Sequence, residues 1–95
     1  MHISNLFGRK TLELVCKIIK DRKILKEVKV TKSENMLFRD ALEESLIEGC
    51  RLLDIQVPVW LKKNTTELAL YRFTFFSNEQ FLEEVKFDRF EIRLV

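Results

Sequence analysis

Glycine, proline and histidine are all scarce in this chain, which has two Gly, one Pro and one His among 95 residues. So little Gly and Pro leaves no stretch that reads as a linker. Gly8 and Gly49 each stand alone, so no Gly-rich loop is available to cradle a phosphate. The one histidine, His2, lies near the N-terminus, and no Ser or Cys has an evident His base. Cys16 and Cys50 are isolated from each other, and with His2 they fall short of a tetrahedral metal site. They read as reduced, half-buried thiols packed as small hydrophobes. No cofactor or metal is expected, and the chain reads as non-catalytic. Adjacent carboxylates such as Glu43-Glu44 and Glu83-Glu84 diverge on a helix, which suits a solvated surface better than an acid/base pair. No apolar run approaches the ~20 residues of a membrane span. The stretch Met1–Gly8 has no long apolar core of a signal peptide. The expectation is a cytoplasmic protein with no membrane partner.

Hydrophobic residues make up 46% and charged residues 34% of the chain, the balance of a folded globular domain rather than a disordered one. The length suits a single domain over 1–95, with 1–10 as a loosely attached N-terminal segment. Eight of the ten aromatic residues lie between positions 60 and 90. A domain this small does not easily bury so many large rings, so some are expected in the core and the rest on a contact surface. The charge is also uneven. Residues 1–32 carry nine Lys/Arg and three Asp/Glu, net +6, and residues 33–95 carry eight and twelve, net −4.

Thr11 to Ile19 alternates with period two, placing Leu12, Leu14, Cys16 and Ile18 on one side and Val15 and Ile19 on the other. Lys20-Asp21-Arg22-Lys23 reads as a tight turn, and Ile24 to Thr31 as the returning strand of a hairpin. Its register should turn Leu12, Leu14, Cys16 and Ile18 towards a helix. Ser33 offers an N-cap hydroxyl, and the spacing is helical from there to about Leu53. Phe38, Ala41, Leu42, Ser45, Leu46, Gly49, Leu52 and Leu53 form the apolar stripe; Met36 and Ile47 fall on the polar back. Gly49, inside the stripe, suggests a close approach to a strand. Val57 to Leu61 is a candidate short strand after Pro58, with Trp60 mostly buried and its indole N–H bonded to a carbonyl or water. Lys62-Lys63-Asn64 then reads as a turn, with Asn64 or Thr65 capping a helix over Thr66 to Tyr71. Arg72 to Phe76 is ambiguous, with a short strand as one reading. Ser77 and Gln80 form a capping box that starts a helix to about Val85. The last strand is Arg89 to Val95, with Phe90, Ile92 and Leu94 on one side.

This order of elements predicts an α+β fold. A hairpin, a long helix and a last strand beside the first, in parallel, is the β-grasp order; the alternative is another ββα-type two-layer sandwich with the last strand antiparallel. The stretches Val59–Asn64, Arg72–Phe75 and Phe81–Ile92, with Lys17–Asp21 of the hairpin, resemble a family of small bacterial proteins of unknown function. The resemblance spans most of residues 12–95 and implies no activity, cofactor or site residue.

Two functional readings follow. The first is a protein-interaction module, an adaptor or self-associating subunit, using Met36 and Ile47 together with Lys26 and Lys29 on an edge strand that could meet the acidic helix of a second copy. The second is weak nucleic-acid binding by the basic hairpin through Lys17, Lys20, Arg22 and Lys23, with Lys26 and Lys29. Strand lysines also protect sheet edges from aggregation, and the pI near 8.6 is lower than is usual for nucleic-acid binders. An exposed aromatic beside those lysines would favour the second reading; no hairpin residue is aromatic.

Overall fold

The computed structural model describes residues 11–33 and 37–95. One four-stranded antiparallel sheet carries both helices on one face. Strands β1 (Thr11–Lys20) and β2 (Lys23–Ser33) form the hairpin; helix α1 (Phe38–Leu53) and helix α2 (Lys62–Tyr71) follow; β3 (Phe73–Ser77) and β4 (Arg89–Leu94) complete the sheet. The strand order is β2-β1-β4-β3.

Asp21 and Arg22 both adopt positive φ, 54° and 67°. This is the left-handed geometry that lets a two-residue hairpin turn follow the twist of its strands. The Asp21 N–H is held by the Asp88 carboxylate at 2.7 Å. As expected, Leu14 and Cys16 are fully buried and Leu12 and Ile18 nearly so, whereas Val15 and Ile19 lie on the other face. Val30 and Val28 pair with Leu14 and Cys16 on the helix side, but the register shifts beyond Ile18. The resulting bulge pairs Ile24 with Ile19, so Ile24 leaves the face of Val28 and Val30 and becomes half exposed.

The helix starts later than the capping pattern suggests. Ser33 pairs with Thr11 and ends β2 rather than capping a helix, and α1 begins at Phe38. Ladder pairing overrides local cap preference there. The buried face of α1 comprises Ala41, Ser45, Leu46, Gly49, Cys50 and Leu53. Leu52, 49% exposed, and Phe38, 59% exposed, lie off it, so the buried stripe is narrower than its apolar pattern. Gly49 does mark a close approach: a Cβ there would lie 2.6 Å from the Cys16 Sγ. Asp54, at φ 61°, ends the helix, with the Ile55 N–H reaching back to the Cys50 carbonyl at 2.9 Å.

Residues 55–61 form a loop, not a strand, and α2 starts at Lys62, ahead of the expected Thr66. The cause is Asn64, which acts from inside the first turn: its Oδ1 accepts the Leu61 N–H at 2.9 Å. Ser77 and Gln80 make the expected capping contact, the Ser77 N–H donating to the Gln80 Oε1 at 3.1 Å, but only a single 3-10 turn (Asn78–Gln80) follows.

The last strand lies beside the first, yet antiparallel, Cys16 opposite Ile92 and Leu14 opposite Leu94. The β-grasp order needs a parallel pair at this position. The observed sheet is that of the alternative, an α+β two-layer sandwich. The core between the layers is built on Phe76 stacked on Phe90 at 5.6 Å and on Phe81 edge-on to Phe87 at 5.3 Å. Four of the clustered rings are therefore core; Trp60, Tyr71, Phe73 and Phe75 are not fully buried.

Candidate functional site

Helices α1 and α2 both line an apolar groove of about 550 Å³. Phe38, Leu42 and Ile47 of α1 form one wall, Leu68 of α2 the other, and Val57 and Trp60 of the connecting loop close one side. Leu94 of β4 is at its floor. Arg39 and Glu43, one turn apart on α1, supply its charged rim. A shallower depression of about 500 Å³ shares Ile47 and Val57 and continues to Arg51, Asp54 and Gln56. The apolar groove follows α1 from Phe38 to Ile47, and the second, more polar depression lies beside its end from Ile47 to Asp54. Phe38, Ile47 and Val57 are 59%, 48% and 44% exposed. Scattered exposed hydrophobics are ordinary in proteins; a contiguous apolar concavity is the pattern that marks a binding surface.

A buried polar network fixes the groove's loop side. The Asn64 amide donates to the Thr74 Oγ1 at 2.8 Å and to the Phe75 carbonyl at 3.0 Å. Its carbonyl oxygen accepts from Leu61 N–H and from the Gln80 Nε2, at 2.9 and 3.1 Å. Gln80 also donates to the Val59 carbonyl at 3.0 Å, and the Val59 N–H donates to the Gln80 carbonyl at 2.6 Å. Every hydrogen-bonding position of the Asn64 side chain is thus used, so the network rigidifies the site rather than penalising it. Trp60 is mostly buried, as expected, packed against the core, and its indole N–H donates to the Thr65 hydroxyl at 2.7 Å rather than to a carbonyl. One side of its ring packs 5.6 Å from Phe76; it also lines the groove.

The residues singled out in sequence are dispersed. Ile47 lies in the groove wall, whereas Met36 lies outside the described residues. Lys26 is opposite Ile18 and Lys29 opposite Val15, so the two lysines project from opposite faces of β2 and make no single surface. Lys29 is 3.7 Å from Glu13, and Lys32 bonds Glu48 across the β2–α1 contact at 2.8 Å. That contact lifts the Lys32 pKa and lowers that of Glu48, chiefly through the hydrogen bond between them. Part of the basic–acidic split is therefore closed inside one molecule. Lys17 projects from the face away from the helices, and Lys20, Arg22 and Lys23 are exposed around the hairpin turn. Phe38, Val57, Trp60 and Leu68 come from three segments, so no local pattern marks them as one site; in sequence the apolar Phe38 and Leu42 are legible only as helix stripe.

Among the described residues no group of three or more metal-ligating side chains comes together, and no helix is long and apolar enough to cross a membrane. Burial pushes the thiols of Cys16 and Cys50 up to about 12, so neither is a nucleophile near neutral pH. No family model, curated protein or solved structure matches the chain.

Proposed function

We propose that the chain is a small non-catalytic protein-interaction module that takes an amphipathic helix of a partner into the groove beside α1. The groove itself carries this reading. Its two helical walls spend their main-chain groups internally. In its loop, Pro58 has no N–H, and Val59 has both main-chain groups bonded to Gln80. An extended peptide laid there would find no ladder partners at Val59 or along the helical walls. A helix satisfies its own backbone and offers the apolar side chains at i, i+3, i+4 and i+7 that such grooves accept. The apolar groove runs along α1 from Phe38 to Ile47, ten residues or roughly 15 Å, which matches about three turns of a bound helix.

Trp60, the only tryptophan, reports occupancy directly. Titration with a 16-residue Leu/Lys peptide with leucines on one helical face should shift its emission to the blue and saturate. A peptide of the same composition with scattered leucines should not. Ile47→Glu should weaken binding by tenfold or more without lowering the melting temperature, since Ile47 is half exposed. An unchanged Trp60 spectrum with the amphipathic peptide, or equal binding by Ile47→Glu, would refute the assignment. A response to a fatty acid but not to the peptide would make the groove a small-molecule site instead.

A further inference from the structure

The face of the sheet opposite the helices carries two aromatic rings. On β3, Thr74 and Phe76 turn inward and are fully buried, so Phe73 and Phe75 turn outward. There they remain half-buried, on an edge strand. Pairing carries each ring into a row across all four strands. Phe73 leads to Arg93, Val15 and Lys29; Phe75 to Glu91, Lys17 and Glu27; Ser77 to Arg89, Ile19 and Ile24. A cation lies against each ring: the Arg93 guanidinium 4.8 Å from the Phe73 centroid, and the Arg89 guanidinium and Lys63 ammonium 4.9 and 4.7 Å from that of Phe75. Of the carboxylates on this face, Glu91 is paired with Arg89 at 2.6 Å and Glu13 with Lys29 at 3.7 Å. Glu67 lies 3.8 Å from Lys63 at the sheet's margin. Glu27 is opposite Lys17 in the ladder. Arg93 and Lys17 have no carboxylate within ion-pair distance among the described residues, and the row through Ile19 runs on into the turn, where Lys20, Arg22 and Lys23 outnumber the carboxylates of Asp21 and Asp88.

We propose that this open sheet face binds single-stranded nucleic acid, with Phe73 and Phe75 as stacking platforms and Arg93, Lys17 and the hairpin turn as phosphate contacts. The site is distinct from the helical groove and does not depend on it. The occupant is chosen by two features acting together. The cations ask for a repeating anion, and the two rings, about 6.6 Å apart along the strand, ask for successive planar groups. A single strand supplies both, since every base has a face to stack and every linkage a phosphate. Duplex DNA keeps its bases stacked on each other and leaves the rings unused. A polyanion without rings uses only the cations. In the sheet Phe75 falls in the same row as Lys17, two strands away with Glu91 between them. With carboxylates interspersed, binding should be modest and strongly salt-dependent.

The test is fluorescence anisotropy of a labelled 12-nucleotide oligo-dT with the full chain at 50 and 200 mM salt. Saturable binding that weakens at the higher salt is expected. Phe73→Leu and Phe75→Leu should each weaken it about tenfold, and Arg93→Gln several-fold, while Ile47→Glu in the groove leaves it unchanged. Thermal melts confirm that each variant is folded; Arg93→Gln, at an exposed position, keeps the test open if a ring variant is not. Heparin should compete poorly for its charge. No binding at 50 mM salt, binding indifferent to both phenylalanine substitutions, or competition by heparin as effective as by unlabelled oligo-dT would overturn the proposal.

Discussion

Adding one methyl group at Gly49 tests the packing of α1 on the sheet. The new Cβ would lie 2.6 Å from Cys16 Sγ, against 3.4–4 Å for ordinary contact, with the Cys16 Cβ at 3.6 Å and the Val30 Cγ2 at 3.8 Å. Cys16 is fully buried in β1, the sheet's interior, so its sulfur has little space to retreat into. Overpacking of this kind costs about 1–3 kcal/mol, while alanine for glycine within a helix returns about 1 kcal/mol. Gly49→Ala should therefore destabilise the fold by up to about 2 kcal/mol, a fall in Tm of up to roughly 15 °C for a domain of this size. Cys16→Ala removes the clashing atom. In that background Gly49→Ala should stabilise by up to about 1 kcal/mol, and the coupling between the sites should reach about 1–3 kcal/mol. Urea unfolding of the four proteins, followed by circular dichroism and Trp60 emission, gives the cycle. A Gly49→Ala change that stabilises equally in both backgrounds would show that the Cys16 sulfur does not abut the helix.

Other outcomes follow from the same packing. Ser45 is fully buried in α1 and its hydroxyl has no hydrogen-bond partner among the described residues, so Ser45→Ala should raise stability by about 0.5–1 kcal/mol in a thermal melt. Asn64→Leu should lower it by about 2–4 kcal/mol, because it strands the Thr74, Gln80 and Leu61 partners. It should also shift Trp60 emission, because the loop carrying that ring loses its anchor. Both thiols should resist alkylation in the native state and react on unfolding. Their pKa is raised from 9.0 to about 12 in the fold, so above pH 9 the unfolded chain loses protons that the folded chain keeps. Stability should therefore fall as pH rises from 9 towards 12, and Cys16→Ala should flatten that decline in urea melts at pH 8 and pH 10.

What the sequence revealed of this fold follows from how local each signal is. The hairpin was legible because strict alternation from Leu12 to Ile18 leaves one register that buries the apolar set. The bulge at Ile24 was not, since it arises from how the turn joins two twisted strands. Gly49 was legible as a close approach, because a small residue within an apolar stripe has few other reasons to be there. The start of α1 departs from the local cap signal because Ser33, a good cap residue, is drawn into the ladder opposite Thr11. The antiparallel setting of β4 depends on where the chain re-enters the sheet after two helices, and no local pattern records that direction. The groove shares this difficulty. Phe38 and Leu42 read as core stripe, Val57 and Trp60 as a strand, and only the packing of both helices and the loop around one concavity makes them one surface. The open-face rings were visible as surplus aromatics at Phe73 and Phe75, but their alignment with Arg93 and Lys17 follows from strand order alone.

The most direct test of the groove is amide chemical-shift mapping of the labelled chain as the amphipathic Leu/Lys peptide is added. The shifts should concentrate at Phe38, Leu42, Ile47, Val57, Trp60 and Leu68 and leave Phe73, Phe75 and Arg93 in place. Shifts spread over the open sheet face, or none at peptide concentrations that saturate Trp60 emission, would contradict a helix-binding groove.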